Sequence, residues 1–126
     1  MTRLNELEQA VLRAGLTGSG IVLETLLNRA SLLQVSGREY TGVGFFTTVK
    51  EVADDLKVGV NNFEVSDIDG AASALNNGFG CVLFIRNGQI ASIECFTYDE
   101  PWPVALGSFE VSTGKAGERN YDEFLN

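Results

Sequence analysis

The chain of 126 residues contains no histidine. That removes the base from serine and cysteine triads and the commonest nitrogen ligand from a metal centre. Its two cysteines, Cys81 and Cys95, are too few for a structural zinc site. Gly18-Ser-Gly20, Gly42-Val-Gly44 and Gly78-Phe-Gly80 lack the remaining elements of a nucleotide-binding loop and read as turns or close strand approaches. Carboxylates are the groups left to do chemistry. Asp67-Ile-Asp69-Gly70 is a fragment of a calcium loop without its other ligands, and reads as a turn with solvated acids. Glu94 sits between Ile93 and Cys95 in an apolar stretch and is the candidate buried acid. A buried glutamate needs a cation, which Arg38 or Arg86 would supply, or else its pKa rises towards acid–base work. A place on an open sheet face or in a structural ion pair is the plainer reading. The expectation is a protein without catalytic residues, metal or cofactor.

Recognition is better provided for. In Tyr98-Asp-Glu-Pro-Trp-Pro103 each proline fixes its own backbone and restricts the residue before it, so Trp102 is held extended. A pre-ordered tryptophan loses little entropy on binding. Asp99 and Glu100 beside it suit a basic surface. Tyr98, Asp99, Glu100 and Trp102 are therefore partner-binding candidates, and a tryptophan that caps the core is the rival reading. Arg38 and Tyr40, in Arg38-Glu-Tyr-Thr-Gly-Val-Gly-Phe-Phe46, are further candidates, because arginine and aromatic residues are favoured at binding hot spots.

The elements that must position these residues follow from periodicity. Residues 4–14 predict an amphipathic helix with Leu4, Leu7, Val11 and Ala14 on one stripe and Glu6, Glu8, Gln9 and Arg13 elsewhere. Asn5 with Glu8 forms a capping box, and Gly15 is a stop. After Thr17-Gly-Ser-Gly20, residues 21–33 predict a second helix capped by Ser19. Strands are expected near 33–41, 45–50, 60–68, 80–86, 89–98 and 104–112, with a solvated loop over 51–59 and turns at Asp69-Gly70 and Asn76-Asn77-Gly78.

Helices first and strands afterwards predict an α+β fold, with one or two N-terminal helices on an antiparallel sheet of about five or six strands. The expected organisation is one domain over 1–126: a helical part to residue 33, the sheet over 34–112 and a polar tail over 113–126. In that tail Tyr121, Phe124 and Leu125 would dock back.

The hairpin at Asn87-Gly88 carries the sharpest expectation. A two-residue turn pairs Arg86 with Gln89, Ile85 with Ile90 and Val82 with Ile93. Alternation then places Val82, Phe84, Ala91, Ile93 and Cys95 on one apolar face, and puts Cys81 on the other. In that register the cysteines cannot bridge, and both are expected as reduced thiols in a reducing compartment.

Nine basic against seventeen acidic residues give a net charge of −8. This argues against nucleic acid and anionic membranes as partners and is compatible with a basic protein. No apolar run approaches the ~20 residues that span a bilayer, and residues 1–8 have no signal-peptide pattern, so the cytoplasm is the expected location.

Arg38-Glu-Tyr-Thr-Gly-Val-Gly-Phe-Phe-Thr47, Gly78-Phe-Gly-Cys-Val-Leu-Phe-Ile-Arg-Asn-Gly88 and Ile93-Glu-Cys-Phe-Thr-Tyr-Asp-Glu-Pro-Trp-Pro103 together resemble a family of small uncharacterised bacterial proteins with TGVGFF-like and TYDEPWP-like motifs. The resemblance spans residues 35–103 and implies no catalytic residues. Such proteins are similar in size and style to immunity proteins of bacterial toxin systems. The resulting expectation is a non-catalytic protein-binding module, in its most concrete form an immunity-type protein neutralising a basic partner. The alternatives are an acidic protein like a secretion chaperone, with the second helix as dimer interface, and a small carboxylate-dependent enzyme or ligand-binding domain centred on Glu94.

Overall fold

Asn5 starts the first helix. In the computed structural model, which describes residues 2–113, its side chain accepts from the Glu8 amide at 2.8 Å, and the Glu8 carboxylate accepts from the Asn5 amide at 2.8 Å. This reciprocal cap satisfies two amides that the helix itself leaves free. Helix α1 then runs over Glu6–Leu16. It passes through Gly15, which was expected to stop it. Gly15 is buried against Ile68 and Leu83, where the missing side chain lets the helix approach the sheet.

Helix α2 covers Ile21–Asn28, and a single 3₁₀ turn over Ala30–Leu32 replaces the rest of the expected helix. Gly20 occupies the N-cap without a side-chain bond. Ser19 is not the cap: its buried hydroxyl donates back to the Leu16 carbonyl.

Six strands follow: β1 Val35–Tyr40, β2 Gly44–Val49, β3 Phe63–Ala72, β4 Phe79–Arg86, β5 Gln89–Thr97 and β6 Phe109–Thr113. They form one antiparallel sheet in the order β1-β2-β5-β4-β3-β6. Helix α1 packs on β3, β4 and β6 and against α2, all on one side of the sheet. The fold is therefore α+β, two N-terminal helices on a six-stranded antiparallel sheet. Among the described residues no helix is long and apolar enough to cross a membrane. Residues 114–126, and with them the expected docking of Tyr121, Phe124 and Leu125, lie outside the described part.

Strand β3 is longer than expected and runs through Asp69-Gly70, which is not a turn. It stays in register because a bulge between Val65 and Ile68 sets Ser66 and Asp67 opposite Val82 alone, keeping both Val65 and Ile68 in the core.

The same device corrects the hairpin. Asn87 and Gly88 take positive φ angles of 53° and 72°, as a tight hairpin turn requires. Arg86 pairs with Gln89 and Ile85 with Ile90 as expected, but Phe84 then pairs with Ser92. Ala91 is the extra residue of a bulge. Beyond it every partner shifts by one, so Cys81 faces Cys95, Val82 faces Glu94 and Leu83 faces Ile93. The cysteines are not on opposite faces. Cys81, Leu83, Ile85, Ile90, Ile93 and Cys95 share the buried helix side, whereas Val82 and Phe84 lie on the other.

The core lies between the sheet and the helices. Val11, Leu12 and Leu16 of α1 and Leu23 of α2 meet Val65, Ile68, Phe79, Leu83 and Ile93 of the sheet.

Candidate functional site: the sheet face opposite the helices

The helices cover one side of the sheet, and the other side carries the candidate site. Register assigns its side chains row by row. In the first row Glu39, Phe46, Glu94 and Val82 lie side by side on β1, β2, β5 and β4. In the next, Gly44, Phe96, Gly80, Asp69 and Ser112 lie on β2, β5, β4, β3 and β6. On the other side of the first, Thr48, Ser92, Phe84 and Glu64 lie on β2, β5, β4 and β3. Alternation of side chains along strands makes this a single face.

Its centre is aromatic. Phe46 is 38% exposed and Phe84 and Phe96 are half-buried. Gly80 makes room for the rings: a Cβ there would stand 2.7 Å from Phe96 Cζ and closer still to the Tyr98 hydroxyl. Tyr98 lies edge-on to Phe96, centroids 5.7 Å apart, and donates to Asp69 Oδ1 at 3.1 Å. Partial burial, and then that hydrogen bond and the Asp69 charge, raise the Tyr98 pKa above its ordinary value.

Carboxylates surround the centre. The strands hold only two basic residues, Arg38 and Arg86, among the residues they span. Arg38 is turned to the helix side, opposite Thr47. Arg86 is therefore the single outward cation of the strands. Its guanidinium lies 5.5 Å from the Phe84 centroid and 3.1 Å from the Glu64 carboxylate. Glu39, Glu64, Asp69, Glu94 and Glu110 all have positions on the open face or its β6 edge.

Glu94 is half-buried on this face, not buried in the core. Neither arginine expected as its partner reaches it, because Arg38 is paired with Glu8 and Arg86 with Glu64. The expected carboxylate candidates Asp67 and Asp69 come to the same part of the molecule through β3, Asp67 in its bulge and Asp69 under Tyr98.

The Tyr98–Pro103 segment is brought together with the tip of the β1–β2 hairpin. The Thr97 amide and hydroxyl both donate to the Val43 carbonyl, at 2.8 and 3.0 Å, and the Trp102 amide donates to Gly42 at 2.9 Å. The β1–β2 turn and the Tyr98–Pro103 segment are thus one piece of structure. Within it the expected binding residues divide. Trp102 lies edge-on to the buried Phe45 and Phe79, with centroids 5.3 and 5.8 Å away, so its ring caps one end of the core. The Glu100 carboxylate accepts from the Asn76 and Asn77 amides at 3.2 and 2.8 Å and closes the β3–β4 loop. Asp99 is exposed with a φ of 57°, at the bend of the segment. Tyr40 is 67% exposed on the helix side of β1, against Phe45. Of the six expected partner-binding residues, Tyr98 alone adds its ring to the open face.

Glu8 is the functional-looking group that sequence reasoning placed elsewhere. It is fully buried, and its carboxylate accepts from Arg38 Nε at 2.9 Å, Arg38 Nη2 at 2.6 Å, the Thr47 hydroxyl and the Asn5 amide. Burial alone would raise its pKa, but those hydrogen bonds and the Arg38 charge outweigh it and hold the carboxyl below its ordinary value. The signal was its spacing: Glu8, Leu12 and Gly15 fall on one helical stripe, and all three are buried. Its role is to tie α1 to the β1–β2 edge.

Cys81 and Cys95 are free thiols with sulfur atoms 3.3 Å apart, directly across the β4–β5 pair. The hydrogen bond with Cys81, followed by burial, pushes the Cys95 thiol far above its ordinary pKa. Such thiols are poor nucleophiles.

Chemically, then, the open face offers carboxylate acceptors beside aromatic rings on a rigid sheet, which suits binding of cationic groups. Among the described residues no group of three or more metal-ligating side chains converges. Comparison with protein-family models, with curated proteins and with solved structures finds no match.

Proposed function

We propose that the protein is a non-catalytic protein-binding module whose sheet face opposite the helices docks a basic protein. The observation that carries the reading is the row Glu39–Phe46–Glu94–Val82, in which carboxylates alternate with apolar side chains on a face that no helix of the described residues covers. Interfaces of this kind gain affinity from desolvated aromatic groups and select their partner through complementary charge. The net charge of −8 and the single outward arginine of the strands support a basic partner and disfavour nucleic acid and anionic membranes. Together with the resemblance of residues 35–103 to small bacterial proteins, this favours an immunity-type role in the cytoplasm, in which the face blocks a basic toxin. Glu94 acts here as a binding group, not as an acid or base.

The test is affinity purification of the full chain from its native host, with identification of the co-purifying protein and repetition with Glu94→Lys and Phe46→Ala. The expected result is a basic partner whose complex weakens with salt and is lost in both variants. A complex that survives both unchanged overturns the reading.

One observation favours a second reading. Ile21 is 85% and Leu32 53% exposed at the two ends of the α2 region, an apolar surface suited to self-association as in a secretion chaperone. Light scattering separates the two, since that reading requires a dimer that Ile21→Glu dissociates.

A further inference from the structure

The open face repeats one arrangement: a carboxylate directly across a strand pair from an aromatic ring. In the first instance Glu64 of β3 faces Phe84 of β4. The chain fills it with its own Arg86, two residues along β4, whose guanidinium lies 5.5 Å from the Phe84 centroid and 3.1 Å from Glu64. In the second instance Phe46 faces Glu94 on one side and Glu39 on the other, so that one ring stands between two carboxylates. Phe46 is 38% exposed, and among the described residues no cation pairs with Glu94 or Glu39. Direct cross-strand neighbours have Cβ atoms about 5 Å apart, which lets one guanidinium lie on the ring and bond an adjacent carboxylate.

We propose that the Phe46 unit receives an arginine side chain of the protein partner, in the way that the Phe84 unit receives Arg86. The inference rests on the docking reading above and specifies the chemistry at its centre. Arginine fits better than lysine because its planar group stacks on an aromatic face while its fork pairs with a carboxylate. Lysine is a hydrated point charge that gains only the electrostatic part. A second copy of the same face is disfavoured as occupant, because it would set Glu39 and Glu94 against the same carboxylates.

The experiment titrates the ¹⁵N-labelled full chain with two Gly/Ser peptides that carry either arginines or lysines at the same positions. The expected result is shift changes centred on Phe46, Glu94 and Glu39, with the arginine peptide bound about two- to five-fold more tightly. Phe46→Leu should abolish the preference while leaving charge-driven binding. Glu94→Gln, which retains the side-chain shape, should weaken both peptides, and dispersed spectra of both variants certify their fold. Equal binding of the two peptides at this face overturns the arginine inference and leaves the docking reading standing. Shift changes confined to the acidic loop at Glu51, Asp54 and Asp55 overturn both.

Discussion

Removing Glu8 should cost the protein much of its stability. The carboxylate has four donors, from Arg38 Nε and Nη2, Thr47 and the Asn5 amide, and it is fully buried. Breaking a buried ion pair from one side typically costs about 3–5 kcal/mol. The Arg38 side chain is 21% exposed, so water can reach the orphaned guanidinium, which places Glu8→Ala near the lower end, about 3 kcal/mol. Arg38→Ala should cost about as much, because it leaves a carboxylate in the core without its cation. The double variant should cost about 4 kcal/mol, well short of the sum, since the second truncation has little left to break. Against a typical total of about 5–15 kcal/mol these are large losses. Urea unfolding followed by Trp102 fluorescence measures them, with the sole tryptophan reporting on the packed end of the core.

The pH dependence has a definite sign. Glu8 has a folded pKa below its ordinary 4.5, so its stabilisation is complete above about pH 4.5 and fades as the pH falls through the lowered folded value. Glu8→Gln should lose this component and show a flatter acid limb. A cost under about 1 kcal/mol for Glu8→Ala, or a coupling energy near zero between the two sites, would refute the assignment of this cluster as the tie between α1 and the sheet.

The cysteines should resist modification. With the Cys95 thiol pushed up by its neighbour and by burial, an aromatic disulfide reagent at pH 8 should react slowly with the native chain and rapidly with both thiols in urea; fast native reaction would contradict the buried pairing. Trp102→Ala should lower stability by about 2–3 kcal/mol yet leave binding of a basic partner within about two-fold, since its ring contacts Phe45 and Phe79; lost binding with intact stability would make Trp102 an anchor after all.

Much of the fold was legible because local signals agreed with it. Asn5 and Glu8 mark a helix start through side chains that bond their own backbone, and Asn87-Gly88 marks a turn because those residues tolerate positive φ. The order of helices and strands then leaves few arrangements. What was not legible depended on tertiary neighbours. The Ala91 bulge has no local marker, because Ala91-Ser92 suits a regular strand as well as a bulged one, and the hairpin register depends on it. Glu94 and Glu8 exchanged roles for a related reason. A glutamate among apolar neighbours in a strand looks buried but alternates outward, and one beside a cap looks solvated until Arg38 and Thr47 arrive from strands 30 and 39 residues away. Glu100 and Trp102 were recognised as unusual, but their partners Asn76, Asn77, Phe45 and Phe79 come from distant segments.

The bulge at Ala91 also makes the hairpin sensitive to parity. Strand β5 must set Ile90 and Ile93 on the same side, three residues apart, although a regular strand returns to a side only every second residue. Deleting Ala91 would restore the even count, so Ile90, Ile93 and Cys95 would remain inward against their present partners with the bulge removed. A length change is therefore tolerable at the bulge itself, whereas one residue gained or lost between Ile93 and Cys95 would turn the side chains beyond it to the other face. The docking face inherits this rule: Glu94 and Phe96 point outward because the bulge absorbs the odd residue between them and the turn.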